Sequence, residues 1–242
     1  MNEVIVRGRI THIFENLKLD HRENGEEFVT GMSCITVSTP RDKNMLFVPN
    51  EDLGANKENN NIQFYFFGEN APISKSFNRG DYVEAKGKVV MRFVKEKNAK
   101  KSHPDQSIHG VDIKIIKTEM SEVFDKNLGG GFNLENAVFL SGTVDFINKK
   151  NGIVHIGLKP EGQKNALYLN YFTKSPDSAI KQYSVGDTIY TKCELQSNVS
   201  EKDGLKNRYE RLVIKYIDKD YSHIMPTSSY GQVHRFGRGL VR

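Results

Sequence analysis

The chain has 242 residues, a formal charge of +5, 37% hydrophobic and 27% charged residues, which fits one large or two small folded domains. No apolar run approaches the roughly 18 residues of a membrane span, and the opening MNEVIVRGRI lacks a basic-then-apolar targeting pattern. Two cysteines, Cys34 and Cys193, are too few for a disulfide framework or a four-thiolate metal site, and reduced thiols in a cytoplasmic compartment are expected.

Helical periodicity is nearly absent, and short β-branched and aromatic runs alternate with Gly, Asn and Asp clusters, as in an all-β chain. The first strands fall at 3–14 and 28–39. An excursion at 39–50 follows, with a local apolar patch at 45–48 that suits either a groove wall or an interface. A third strand at 61–68 leads to a short helix, with Pro72 in its first turn and Ala71, Ile73 and Phe77 on its apolar side. Strands at 81–94 and 108–118 complete the set.

The pattern then repeats. VIVRGRITHI (4–13) matches VFLSGTVDFI (138–147), SFNRGDYVEAKGKV (76–89) matches QYSVGDTIYTKCEL (182–195), and GVDIKIIK (110–117) corresponds to ERLVIKYI (210–217). Three matched segments in one order predict two copies of one domain, at 1–120 and 136–222. A linker at 121–135 contains Gly129, Gly130 and Gly131, and the tail at 223–242 is basic and expected to be disordered. The second copy repeats the helix, with Ser175 as N-cap, Pro176 at N1, Asp177 in the first turn, and Ala179, Ile180 and Tyr183 inward. Five strands with a helix between the third and fourth is the order of the OB-fold, so two tandem five-stranded OB-fold barrels are expected. Such barrels bind oligonucleotides on the face of their second and third strands.

Pleating sorts the aromatic row of NIQFYFFG. Ile62, Phe64 and Phe66 form an apolar set for the core, and Asn61, Gln63, Tyr65 and Phe67 form a mixed set suited to meeting something flat and polar. A nucleobase stacked on a ring gains about 1–3 kcal/mol irrespective of sequence. In the second copy the same reasoning turns Tyr168, Asn170 and Phe172 outward, although a one-residue bulge would exchange the faces. Cations cluster where a hairpin would join the fourth and fifth strands: Arg92, Lys95, Lys97, Lys100 and Lys101, beside Phe93. The equivalent hairpin of the second copy offers Lys202, Lys206, Arg208 and Arg211. By regions the net charge is +1 for 1–120, +1 for 121–222 and +3 for 223–242, so the argument for a polyanion rests on these local clusters.

MNEVIVRGRIT, GMSCITVST and IQFYFFGENAPISKSFNRGDYVEAKGKV resemble the first strand, second strand and most diagnostic block of bacterial and phage single-stranded DNA-binding proteins. The resemblance covers residues 1–118, and the second copy matches in outline. It implies a protein that coats single-stranded DNA in replication, recombination and repair, and a homodimer, because the family assembles four such barrels. Phe67 matches the family's stacking Phe, Asn61 stands where the family often has a stacking Trp, and Phe93 or Val94 falls near a second one. The chain has no Trp, so stacking falls to Phe and Tyr. The tail also departs from the family. Arg235 and Arg238 replace the acidic tip that recruits replication enzymes, so direct contact with phosphate or bases is expected in its place. A phage or mobile-element origin fits such a diverged two-copy form.

Catalysis is disfavoured. The seven histidines form no helical i, i+4 pair and sit beside no cysteine, LGGGF lacks the lysine of a phosphate loop, and the carboxylates are scattered. A non-enzymatic protein without cofactor or metal is expected. An RNA-binding OB protein and a structural subunit that packs its rings against a partner are the alternatives.

Overall fold

The computed structural model describes residues 1–41, 59–94, 103–116, 136–173, 175–202 and 205–223. Strand β1 (Asn2–His21) begins with the alternation that a half-buried strand requires. Val4, Val6 and Ile10 are fully buried, and the residues between them face out or lie half-buried. β1 runs well beyond the expected 3–14. Past Ile10 it pairs with β2 (Glu27–Pro40) as an antiparallel arm that extends to His21 opposite Glu27. Hydrogen bonding between β1 and β2 backbones sustains this arm where the alternation has faded, and Phe14 and Leu19 on it are exposed.

β3 (Asn59–Phe67), β4 (Tyr82–Val94) and β5 (His103–Ile115) complete the first barrel. β2 pairs with β3, β3 runs parallel to β5, β5 pairs with β4, and β4 returns to β1, so the ring closes. The second copy has β6 (Asn136–Lys150), β7 (Ile153–Pro160), β8 (Leu167–Tyr171), β9 (Thr188–Lys202) and β10 (Leu205–Asp218). It closes by the same pairings, including a parallel β8–β10 contact. The chain is thus all-β, with two tandem OB-fold barrels. They join where β1 pairs antiparallel with β6 over Asn2–Val6 and Asn136–Leu140. No helix among the described residues is long and apolar enough to cross a membrane.

The cores follow from the pleat. Ile62, Phe64 and Phe66 are at most 1% exposed and meet Ile35, Val37 and Ile108, while Leu167 and Leu169 meet Ile156, Leu158 and Leu212 in the second barrel. Each such side chain stabilises by about 1.5–3 kcal/mol when fully buried.

The repeated Gly-Asp pair has the same task in both barrels. Gly80 and Gly186 take φ of 104° and 93°, a region that glycine enters at little cost. Their N–H groups donate to the carbonyls of Ile10 and Val144, at 2.8 and 2.9 Å. The carboxylates of Asp81 and Asp187 accept from the N–H groups of Asn78 and Ser184, at 2.7 and 2.8 Å. A turn is thereby fastened to the first strand of each barrel just before the fourth strand begins.

The short helices differ from expectation in detail. Gly68–Ser76 is a 3-10 helix with Pro72 inside it, so Pro72 is not a first-turn residue. Ala71 and Ser74 are its buried members, and Ser33 Oγ donates to the Ala71 carbonyl at 2.7 Å. In the second barrel α1 (Pro176–Gln182) has Pro176 in its first turn, but Ser175 makes no side-chain cap. Asp177 is engaged from outside the helix by Lys149 Nζ at 2.8 Å. The excursion expected at 39–50 begins inside β2, which runs to Pro40. Its remainder from residue 42, with the apolar patch at 45–48, lies outside the described residues, as do the linker at 121–135 and the tail beyond residue 223.

Candidate functional site

β3 is flanked by β2 and β5, so its outward face forms the middle of a three-strand surface. Gln63 and Tyr65 are half-buried there and Phe67 is 40% exposed. The rings of Tyr65 and Phe67 are nearly parallel, 17° apart in orientation, with centroids separated by 6.3 Å. The Tyr65 hydroxyl donates to Gln63 Oε1 at 3.1 Å, and burial is the main cause that pushes its pKa up to about 12. Tyr65 is therefore an uncharged donor and ring at neutral pH.

β4 and β5 add a cation and a third ring. Arg92 Cζ lies 5.4 Å from the Phe67 centroid, within cation–π range. The His109 ring packs 4.9 Å from Phe67 at 52°, and Arg92 Nη2 lies 3.0 Å from His109 Nε2. Burial, reinforced by Arg92, holds His109 below the ordinary histidine pKa.

The facing wall comes from the second barrel. Tyr168, 42% exposed, packs its ring 5.4 Å from that of Phe146, and its backbone N–H donates to Gln106 Oε1 of β5 at 3.2 Å. The Asn170 side chain donates to the Leu212 carbonyl at 3.3 Å and lines the same groove. Glu210 of β10 accepts from the Gln63 N–H at 2.8 Å, which ties the two walls together. Deeper in the seam, Asn60 and Asn61 bond to Glu194 and Ser197, and Arg41 Nη2 donates to the Ser197 carbonyl at 2.7 Å. The resulting groove encloses about 540 Å³.

Of the residues expected to bind, Gln63, Tyr65, Phe67, Arg92 and Tyr168 line this one groove. Phe93 is 53% exposed on the next position of β4, and Phe172 is half-buried just after β8; neither lines it. Lys95, Lys97, Lys100, Lys101, Arg235 and Arg238 lie outside the described residues, as do the side chains of Lys202, Lys206 and Arg208. Arg211 is a lining residue, together with the unanticipated Asp105, Gln106 and Glu210. The formal charges of the lining, Arg92 and Arg211 against Asp105 and Glu210, cancel. The signal that would have found His109 is the alternation of SIHG: Ile108 is buried, so His109 must share the outward face with Tyr65, its partner across the parallel pair. Among the described residues, no group of three or more His, Cys, Asp or Glu is placed to hold a metal ion.

No family model matches this sequence, and no curated protein does. Among solved structures the chain is similar to two crystal structures of the single-stranded DNA binding protein from Thermus aquaticus. A deletion variant superimposes with a TM-score of 0.58 at 13% identity, over 95% of this chain and 98% of that one. The wild type gives 0.57 at 14%, over 97% of each. At such identity the likeness is one of fold, and it extends over both barrels: the chain has the two-barrel, all-β architecture of those structures.

Proposed function

We propose that the protein binds single-stranded DNA without catalysing a reaction, in the groove where its two barrels meet. The observation that carries this reading is the convergence of Phe67 and Tyr168, exposed rings from different barrels, on one groove beside Arg92. Ring faces are matched by unpaired bases, whose own faces are hidden in a duplex. The lining amides of Gln63, Gln106 and Asn170 supply polar contacts that stacking lacks. The likeness in fold to a protein named for single-stranded DNA binding supports the same reading. Under it the copies at 1–120 and 136–222 act as one unit, the lysines at 95–101 and the arginines of the tail add phosphate contacts, and coating of exposed strands in replication, recombination and repair is the role.

The test is a titration with oligo-dT, oligo-U and a duplex of equal length. The readouts are anisotropy of a labelled strand and the emission of the ten tyrosines, which no Trp obscures. Tighter binding of oligo-dT than of duplex, with tyrosine quenching, is expected. Equal or tighter binding of oligo-U would replace DNA by RNA as the ligand, and absence of binding to both single strands would refute the reading.

A further inference from the structure

We propose that His109 is a positioning residue for Arg92: its neutral ring tethers the guanidinium over Phe67 in the free protein, and protonation releases that guanidinium to meet phosphate. This rests on the nucleic-acid reading of the groove. An arginine side chain has donors and no acceptor, so a contact of 3.0 Å between Arg92 Nη2 and His109 Nε2 requires the lone pair to sit on Nε2. The ring proton is then on Nδ1. Phe67 is bordered by both partners, with the His109 ring at 4.9 Å and Arg92 Cζ at 5.4 Å. A base that stacks on Phe67 from the Arg92 side must displace the guanidinium, and the tether opposes that displacement.

The groups facing His109 set the sign. Lys88 is its partner on β4, and Arg92 lies four residues farther along that strand; Tyr65 is its partner on β3. Asp105 is on its own strand, and Glu210 and Arg211 line the groove from β10. Burial and Arg92 both disfavour the imidazolium in the free protein. A phosphate backbone favours it, and a protonated ring no longer accepts from Arg92. Binding therefore takes up a proton, and affinity rises as pH falls through the His109 titration, by at most about tenfold per pH unit for one proton.

Two measurements test this. The tautomer is read from imidazole nitrogen NMR of the free full-length protein at about pH 8, followed by titration towards about pH 5.5 while the Arg92 side-chain signals are observed. The Nδ1–H tautomer is expected, with Arg92 shifting at the His109 midpoint; an Nε2–H tautomer or an unresponsive Arg92 overturns the tether whether or not DNA binds. Oligo-dT affinity is then compared across the same range at constant ionic strength. Wild type is expected to tighten severalfold towards low pH, with that gain lost in both His109→Gln and His109→Phe. Near pH 8 His109→Phe, which removes the acceptor for Arg92, should bind more tightly than His109→Gln, which retains one. An unchanged pH profile in both variants overturns the proposal while leaving oligo-dT binding itself intact.

Discussion

Val4 of β1 lies directly opposite Val138 of β6, and the two valines occupy the same place in the repeated pattern Val-x-x-x-Gly. The barrels therefore meet about a local two-fold relationship, and Gly8 and Gly142 fall four residues beyond it on either side. At each, the first strand of the barrel crosses from one neighbour to the other. A Cβ on Gly8 would collide with the Ser38 carbonyl, and one on Gly142 with that of Lys159. Both obstacles are backbone, which cannot rotate aside. Gly8→Ala and Gly142→Ala are each expected to destabilise by about 1–3 kcal/mol, read as lower urea midpoints. Stability equal to wild type in both would show that the two strands can separate there at no cost.

Glu84 gives the fold an acid-sensitive point. It is 4% exposed and pairs with Arg7 at 2.6 Å and Lys114 at 2.9 Å. Burial alone would raise its carboxyl pKa, but the bonds from Lys114 and Arg7 outweigh burial and hold it below 4.5. A folded pKa lower than the unfolded one means that its contribution is complete above pH 4.5 and is lost as pH falls through the folded value. Glu84→Gln is expected to be less stable than wild type at neutral pH, with the gap closing in acid. A gap that stays constant from neutral pH to about pH 3 would assign the loss to packing rather than charge.

Much of this fold is legible in the sequence because period two and the Gly-Asp turns are local signals. Ile62, Phe64 and Phe66 are buried as the pleat requires, and the paired turns at Gly80 and Gly186 use identical bonds. The extent of β1 is not legible, because the arm beyond Ile10 is held by backbone pairing with β2, to which side-chain pattern is nearly indifferent. The 3-10 form of Gly68–Ser76 is similarly hidden, since Pro72 fits a helical turn of either kind. At the site, strand alternation finds Tyr65, Phe67 and Tyr168 one strand at a time. That Glu210 and Gln106 join them depends on how two barrels dock, and no periodicity within one strand encodes that.

Both thiols should be inert in the folded protein. Burial pushes Cys34 up to about 11 and Cys193 up to about 12, so neither carries appreciable thiolate near neutral pH. A thiol-reactive disulfide reagent is expected to label neither in the native state and both in denaturant. Rapid native labelling of Cys34 alone would mean that β2 and β3 separate locally.

The two walls should contribute separately to binding. Phe67 and Tyr168 are each more than one-third exposed, so alanine at either leaves the cores intact. Phe67→Ala and Tyr168→Ala are expected to weaken oligo-dT binding by about 1–3 kcal/mol each, the worth of one stacked base. Phe93→Ala, outside the lining, should cost less, and Val185→Ala, an exposed side chain at the second Gly-Asp turn, should cost nothing. A loss on Phe67→Ala with none on Tyr168→Ala would confine the ligand to the first barrel.

Charge should tune affinity through one cross-strand pair. Arg92 on β4 stands opposite Asp105 on β5, and both line the groove. A phosphate drawn to Arg92 therefore meets a carboxylate beside it. Asp105→Asn removes that repulsion without changing side-chain volume appreciably, so it should tighten oligo-dT binding at low salt, with the gain shrinking as salt screens the charge. Arg92→Ala should act in the opposite direction. Losing one phosphate contact to a single strand lowers the steepness of log affinity against log salt by about 0.7. Because the lining is formally balanced, much of the slope should persist in Arg92→Ala, carried by cations outside the groove. A slope that falls to zero when Arg92 alone is removed would place all phosphate neutralisation at that one side chain.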